Sequence, residues 1–118
     1  MSLRTRKVGQ QIKRIIADIL DMGEIHDPRF LGMISITDVV VAKDLRSANV
    51  FFSCFGTEEQ TQNTESAFMS AAKFIQSKVG ERLGIRFTPI LTFHRDSSIE
   101  YGAHIEKLLD SIKDEPES

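Results

Sequence analysis

Cysteine is almost missing from this chain. Cys54 is the only one in 118 residues, so no internal disulfide can form, and such usage fits a reducing compartment. The cytoplasm is therefore the expected location. Long apolar runs are missing too. Nothing approaches the roughly 18 consecutive apolar residues that a membrane span needs, so no contact with a membrane is expected. The basic start MSLRTRKVGQ is not followed by an apolar segment, and we expect no secretory signal there. Grouped acid–base residues are also lacking. His26, His94 and His104 are scattered, and the acids fall mainly on amphipathic surfaces. His26 stands beside Asp27 without a second group of ligands, and Cys54 reads as a small inward-facing hydrophobe without a histidine placed near it. We therefore expect no catalytic residue, no metal and no cofactor.

What is present is charge, unevenly placed. The net charge is only −2, yet residues 1–17 hold five bases and no acid, while residues 18–72 hold three bases and nine acids. Residues 73–95 hold five bases against the single acid Glu81, and residues 96–118 hold seven acids and two bases. Two basic blocks separated by acidic ones can form one patch if the fold brings them together.

Periodicity supplies the elements. Val8, Ile12, Ile15, Ile16 and Ile19 make the core stripe of a first helix running from Leu3 or Arg4 to Met22, with Gly23 as its stop. Arg6, Lys7, Lys13 and Arg14 lie off that stripe. Asp27-Pro28-Arg29 marks a turn. Two strands follow, Met33 to Val41 and Arg46 to Phe55, joined by the short Lys43-Asp44-Leu45 as an antiparallel hairpin. In the second strand Ala48, Val50, Phe52 and Cys54 share the buried face. In the first, Ile34 and Ile36 have one parity and Val39 and Val41 the other, so one extra residue near Asp38 is needed to keep them all inward.

Thr57 with Gln60 has capping-box spacing and opens a helical region. Phe68, Ala72, Ile75, Val79 and Leu83 recur at spacings of four, three, four and four, giving it an apolar face, while Lys73, Lys78 and Arg82 project elsewhere. Whether the small residues Ser70-Ala71-Ala72 bend this region into two helices is open from the residues alone, because alanine is the best helix former. Ile85 to Arg95 alternates as a strand, and Pro89 places it at a sheet edge or at a bulge. Ser97 with Glu100 starts a last helix whose core face is Ile105, Leu108, Leu109 and Ile112. The expected class is α+β, a three-stranded sheet with helices on one face. Residues 4–112 would form one domain and 113–118 an acidic, disordered tail.

The order α-β-β-α-α-β is similar to that of a type II KH domain, but the GXXG loop that joins the central helices in KH domains is absent, and Ala71-Ala72-Lys73 stands in its place. With Arg6-x-Val8, Asp27-Pro28-Arg29, Ile36-Thr37-x-Val39, Asp44-Leu45, Ala48-x-Val50, Pro89-x-Leu91-x-Phe93 and Asp96-x-Ser98-x-Glu100, the chain resembles the bacterial ribosome-binding factor A family over about residues 4–110. That resemblance implies a KH-like RNA-binding domain with a helix kink at Ala71. Where the family has Ala-x-Gly at the kink, Lys73 replaces the glycine, and that lysine either adds a phosphate contact or points to water. The resemblance further implies a monomeric cytoplasmic assembly factor, notably important in the cold. It would bind the free 30S small ribosomal subunit and its rRNA and assist late processing of the 16S 5′ end. Ribosomal proteins or an assembly GTPase would be further partners.

Arg4, Arg6, Lys7, Lys73, Lys78, Arg82 and Arg86 are the candidate RNA contacts, since RNA backbone affinity comes from Lys and Arg displacing counterions. A helix start after Ala71 would add free N–H groups for phosphate. No exposed aromatic pair marks a base-stacking platform, so shape and phosphate recognition are expected over base readout. The rival reading is a protein-binding adaptor using the acidic tail or the sheet face that bears Phe51 and Phe55.

Overall fold

The hairpin carries the clearest imprint of its residue pattern. In the computed structural model, which describes residues 2–30, 33–84 and 88–96, strand β1 (Met33–Val41) pairs antiparallel with β2 (Ser47–Phe55). The register shifts between Ile36 and Asp38, so Thr37 is the extra residue that the alternation requires. Ile36, Val39 and Val41 are all buried despite their opposite parities. Across the ladder Ala48, Val50 and Phe52 point to the same core. Leu45 closes the connection in left-handed backbone, φ 61°, with its side chain packed against that core. For a residue with a Cβ this conformation is strained, and burial of the leucine side chain offsets the cost.

Helix α1 (Leu3–Asp21) starts at Ser2, whose hydroxyl accepts the Thr5 N–H at 3.2 Å. It stops where Gly23 enters left-handed backbone, φ 65°, and the Glu24 N–H donates to the Ile19 carbonyl at 3.1 Å. Val8, Ile12, Ile16 and Ile19 are buried as expected. Ile15 lies at the margin of that stripe and is only half-buried against the core. Gly9 marks the tightest crossing. A Cβ there would sit 2.8 Å from the Val39 carbonyl oxygen, so only glycine lets the helix approach β1 this closely.

Helix α2 (Glu58–Leu83) opens with the expected capping box: the Gln60 N–H donates to Thr57 Oγ1 at 3.1 Å, and the Thr57 N–H donates to Gln60 Oε1 at 2.7 Å. The helix then runs without interruption through Ala71. Its inward positions, Thr61, Thr64, Phe68, Ala71, Ile75 and Val79, keep spacings of three and four on both sides of that residue. The expected second helix start is therefore absent, because Ala71 and Ala72 suit a helix interior and no glycine follows to interrupt it. Ala71, rather than Ala72, packs against the core.

Strand β3 (Ile90–Arg95) joins β2 in parallel, giving the order β1-β2-β3. Pro89 has no N–H, so the ladder begins one residue later, with the Ile90 N–H donating to the Arg46 carbonyl at 2.9 Å. The strand lies at the sheet edge, the first of the two positions expected for it, with Pro89 just before its first residue. Both helices pack on the sheet face that carries Val50 and Phe52. Phe68 sits at the centre, with ring centroids 4.9 Å from Phe30, 4.6 Å from Phe52 and 4.8 Å from Phe93. This is an α+β, KH-like arrangement. The expected strand residues 85–87, the helix expected from Ser97 with Leu109 in the core, and the tail 113–118 lie outside the described residues.

Candidate nucleic-acid interface

Burying the isoleucine stripe of α1 dictates what its other side presents. Arg6 and Lys13, like Lys7 and Arg14, are seven residues apart, about 10 Å along the axis and on one side of the helix. All four, with Arg4, are exposed. Arg6, Gly9, Gln10 and Lys13 form one wall of a groove of about 350 Å³ whose other wall is Asp38, Val39 and Val40 of β1. Lys13 Nζ donates to the Thr37 carbonyl at 3.3 Å, at the bulge. Lys7 and Arg14 flank a shallower depression with Gln10 and Gln11, and Arg4 and Lys7 flank another over Val8. Among the described residues, none of the ion pairs involves any of these five cations.

The cations of α2 and β3 are placed differently. Arg82 reaches back to Glu24, its guanidinium 2.6 Å from the carboxylate, and ties the end of α2 to the segment after α1. Lys78 pairs with Glu81 at 3.8 Å, and its ammonium stands 5.7 Å from the centre of the Phe74 ring. Arg95 bridges Glu58 at 2.8 Å and Glu65 at 3.3 Å. Hydrogen bonding to Glu58 raises the Arg95 guanidinium above its ordinary value, and the same bond lowers the Glu58 carboxyl. Lys73 is exposed and makes no ion pair among the described residues. Arg86 lies outside them. Of the seven candidate contacts, Arg4, Arg6 and Lys7 thus share the α1 surface, Lys73 is open to solvent, and Lys78 and Arg82 are engaged with carboxylates.

The continuity of α2 removes one expected element. The N–H groups beside Lys73 lie inside a helix and are not free for phosphate. Lys13 and Arg14, placed off the core stripe but not among the seven candidate contacts, share this surface with Arg6 and Lys7, and their seven-residue offset was the available signal. Phe74 escaped the sequence reading, an aromatic 41% exposed on α2.

Among the described residues no three His, Cys, Asp or Glu side chains gather as a metal site. His94 is held by Asn49 at 2.8 Å and stacks on Phe51 with centroids 5.3 Å apart. Cys54 is half-buried with its sulfur 3.7 Å from Thr64 Oγ1. Asp27 is held below the usual carboxylate range by hydrogen bonds from Arg29, a pair that closes the turn before β1. The arrangement can hold a polyanion against α1.

Residues 4–109 match the family model described as ribosome-binding factor A. A ribosome-binding factor A from Gloeobacter violaceus is 42% identical over 116 residues, covering 98% of this chain and 90% of the relative. One from Acetivibrio thermocellus is 45% identical over 106 residues, covering 90% and 85%. The crystal structure of ribosome-binding factor A from Thermus thermophilus shares the fold, with a TM-score of 0.65 at 24% identity over 77% of this chain and 94% of that one. The Thermus thermophilus factor as fitted into a cryo-EM map of a 30S–RbfA complex gives a TM-score of 0.62 at 25% identity, covering 75% and 91%. Among the described residues no helix is long and apolar enough to cross a membrane.

Proposed function

The chain belongs to the ribosome-binding factor A family, and from that premise we propose that it binds the free 30S small ribosomal subunit by gripping rRNA phosphates with α1. The reading is supported by the relatives' common name and by the Thermus thermophilus factor fitted to a 30S complex. One observation carries it here: the five cations of α1 stand exposed and without carboxylate partners among the described residues. A phosphate backbone can take them without first breaking an ion pair, and each contact releases counterions from the RNA. The helix that carries them is fixed to the sheet by its isoleucine stripe, so the charges are held in place before the RNA arrives.

In this reading the protein is a non-catalytic, cytoplasmic, monomeric assembly factor. It assists late maturation of the subunit, including processing of the 5′ end of 16S rRNA, by holding RNA in a particular shape. Ribosomal proteins or an assembly GTPase are further partners. Lys73 extends the basic surface, whereas Lys78 and Arg82 would have to leave Glu81 and Glu24 to reach a phosphate.

Cosedimentation with 30S subunits across a salt series tests the proposal. Lys7→Ala with Arg14→Ala should weaken binding and flatten the slope of log affinity against log salt by about 1.4–1.8, from two lost phosphate contacts. Stability should stay within about 0.5 kcal/mol of the parent, because both side chains are exposed. Parental affinity with a parental slope would overturn the α1 reading. Binding of the parent that ignores salt would favour the adaptor, with the sheet face of Phe51 and Phe55 as the contact. In cells lacking the factor, the same variant should leave 16S rRNA extended at its 5′ end.

A further inference from the structure

Helix α2 carries two phenylalanines with opposite fates. Phe68 is completely buried, and Phe74 is 41% exposed. Phe74 directly precedes the buried Ile75, which turns its ring about 100° away from the core direction. One turn away on either side along the helix stand Ser70, Ala71, Ser77 and Lys78. Three of those four side chains are small, so the flank of the helix around the ring is low. The ammonium of Lys78 lies 5.7 Å from the ring centre, and the adjacent Lys73 is exposed without an ion pair among the described residues. From Ser66 to Gly80 the chain contains no Asp or Glu. The nearest acid towards the helix end, Glu81, is occupied by Lys78 at 3.8 Å.

We infer that Phe74 is a stacking contact for an unpaired rRNA base, with Lys73 and Lys78 taking the phosphates beside it. This rests on the proposed binding of rRNA and names the class of nucleotide that α2 would meet. A base can stack on a ring only where its own partner is missing, so the ligand is single-stranded, bulged or looped RNA and not a regular duplex. Flanking cations suit that ligand because every base arrives with a phosphate on each side. The pairing of Lys78 with Glu81 is long and solvent-exposed, so it exchanges readily for a phosphate. A protein partner would call for apolar neighbours around Phe74, and those one turn away are serines, an alanine and a lysine.

The chain has no tryptophan, which makes a direct test available. In Phe74→Trp the introduced indole is the only one. An unstructured single-stranded RNA oligonucleotide should quench its fluorescence saturably, and the same oligonucleotide annealed to its complement should not. Phe74→Ala should weaken binding of the single strand by about 5- to 150-fold while leaving the salt slope unchanged, because stacking releases no counterions. Phe74→Leu, which keeps apolar bulk without a π-face, should be as weak as the alanine variant. Equal quenching by duplex would overturn the inference, as would full binding of the single strand by the leucine variant, which would show that no π-face is used. If Phe74→Ala binds as the parent does while Lys7→Ala with Arg14→Ala flattens the slope, stacking is wrong and the α1 proposal stands. If the parent binds neither single strand nor 30S subunits, the proposed function itself fails.

Discussion

Helices α1 and α2 both carry cations, and they use them in different ways. Those of α1 face solvent and form no ion pair among the described residues, whereas Arg82 of α2 is bound to Glu24 and Lys78 to Glu81. Arg95, on the strand beside α2, is held by Glu58 and Glu65. Net charge along the chain does not separate these cases. Whether a cation is available depends on which acid the fold delivers to it, and the acids that occupy Arg82 and Arg95 come from distant parts of the chain. A basic block thus marks an open ligand surface where the folded protein supplies no close counter-charge; the 2.6 Å Arg82–Glu24 pair closes that option more firmly than the 3.8 Å Lys78–Glu81 pair does.

The comparison can be broken from the side of α2. If that helix serves mainly to build the core, Ile75→Ala should cost about 2–5 kcal/mol of stability in denaturant unfolding, while the molecules that remain folded keep the parental salt slope for 30S binding. A loss below about 1 kcal/mol would place Ile75 outside the core. Ala71→Glu is the next largest. It puts a bulky charged side chain where the helix packs against the core and should cost roughly 1–3 kcal/mol, read in the same titration. Tolerance of glutamate there would mean that the helix flank is open at Ala71.

Smaller effects sharpen the contrast between the two sets of charges. Arg82→Ala should lose about 0.2–1 kcal/mol with its tie to Glu24 and leave the salt slope of binding alone, the reverse of the α1 variant. A flattened slope in Arg82→Ala would show that this arginine exchanges Glu24 for phosphate. The smallest effect concerns acid. Asp27 and Glu58 are both lowered by hydrogen bonds from arginines, so the folded protein holds fewer protons on them than the unfolded chain does. Their contribution is complete at neutral pH and is lost as the pH falls through and below about 4. Melting temperature should therefore drop in that range, and Glu58→Gln should make the drop shallower. An identical acid limb in that variant would mean that the Arg95 bridge contributes nothing to stability.

Much of this fold is written in local patterns. The hairpin, the extra residue beside Asp38 and the Thr57 capping box all follow from residues within a few positions of one another, whereas Pro89 left a sheet edge and a bulge equally open. The isoleucine stripe of α1 likewise needed only helical spacing. What was not legible depends on distance or on ambiguity. Ala71-Ala72 suits a bend and a straight helix equally, so the continuity of α2 had to come from the structure. Thr61 and Thr64 sit in a polar run and are nevertheless buried, because each hydroxyl donates to a carbonyl one turn back, at 3.0 and 2.9 Å. The candidate site was half legible for the same reason. Arg4, Arg6 and Lys7 could be read from a block without acids, but the occupation of Arg82 by a carboxylate 58 residues earlier could not.

Thr37 repairs the parity of β1, and it does one thing more. Its hydroxyl reaches the Phe51 carbonyl and the carboxylate of Asp96, just past the end of β3, while the Asp96 N–H donates to the Phe52 carbonyl. The residue that has no place in the ladder therefore clasps the two outer strands to each other across the central one. Deleting Thr37 would create two faults at once. Val39 and Val41 would turn away from the core, and the last strand would lose the anchor that marks where it stops.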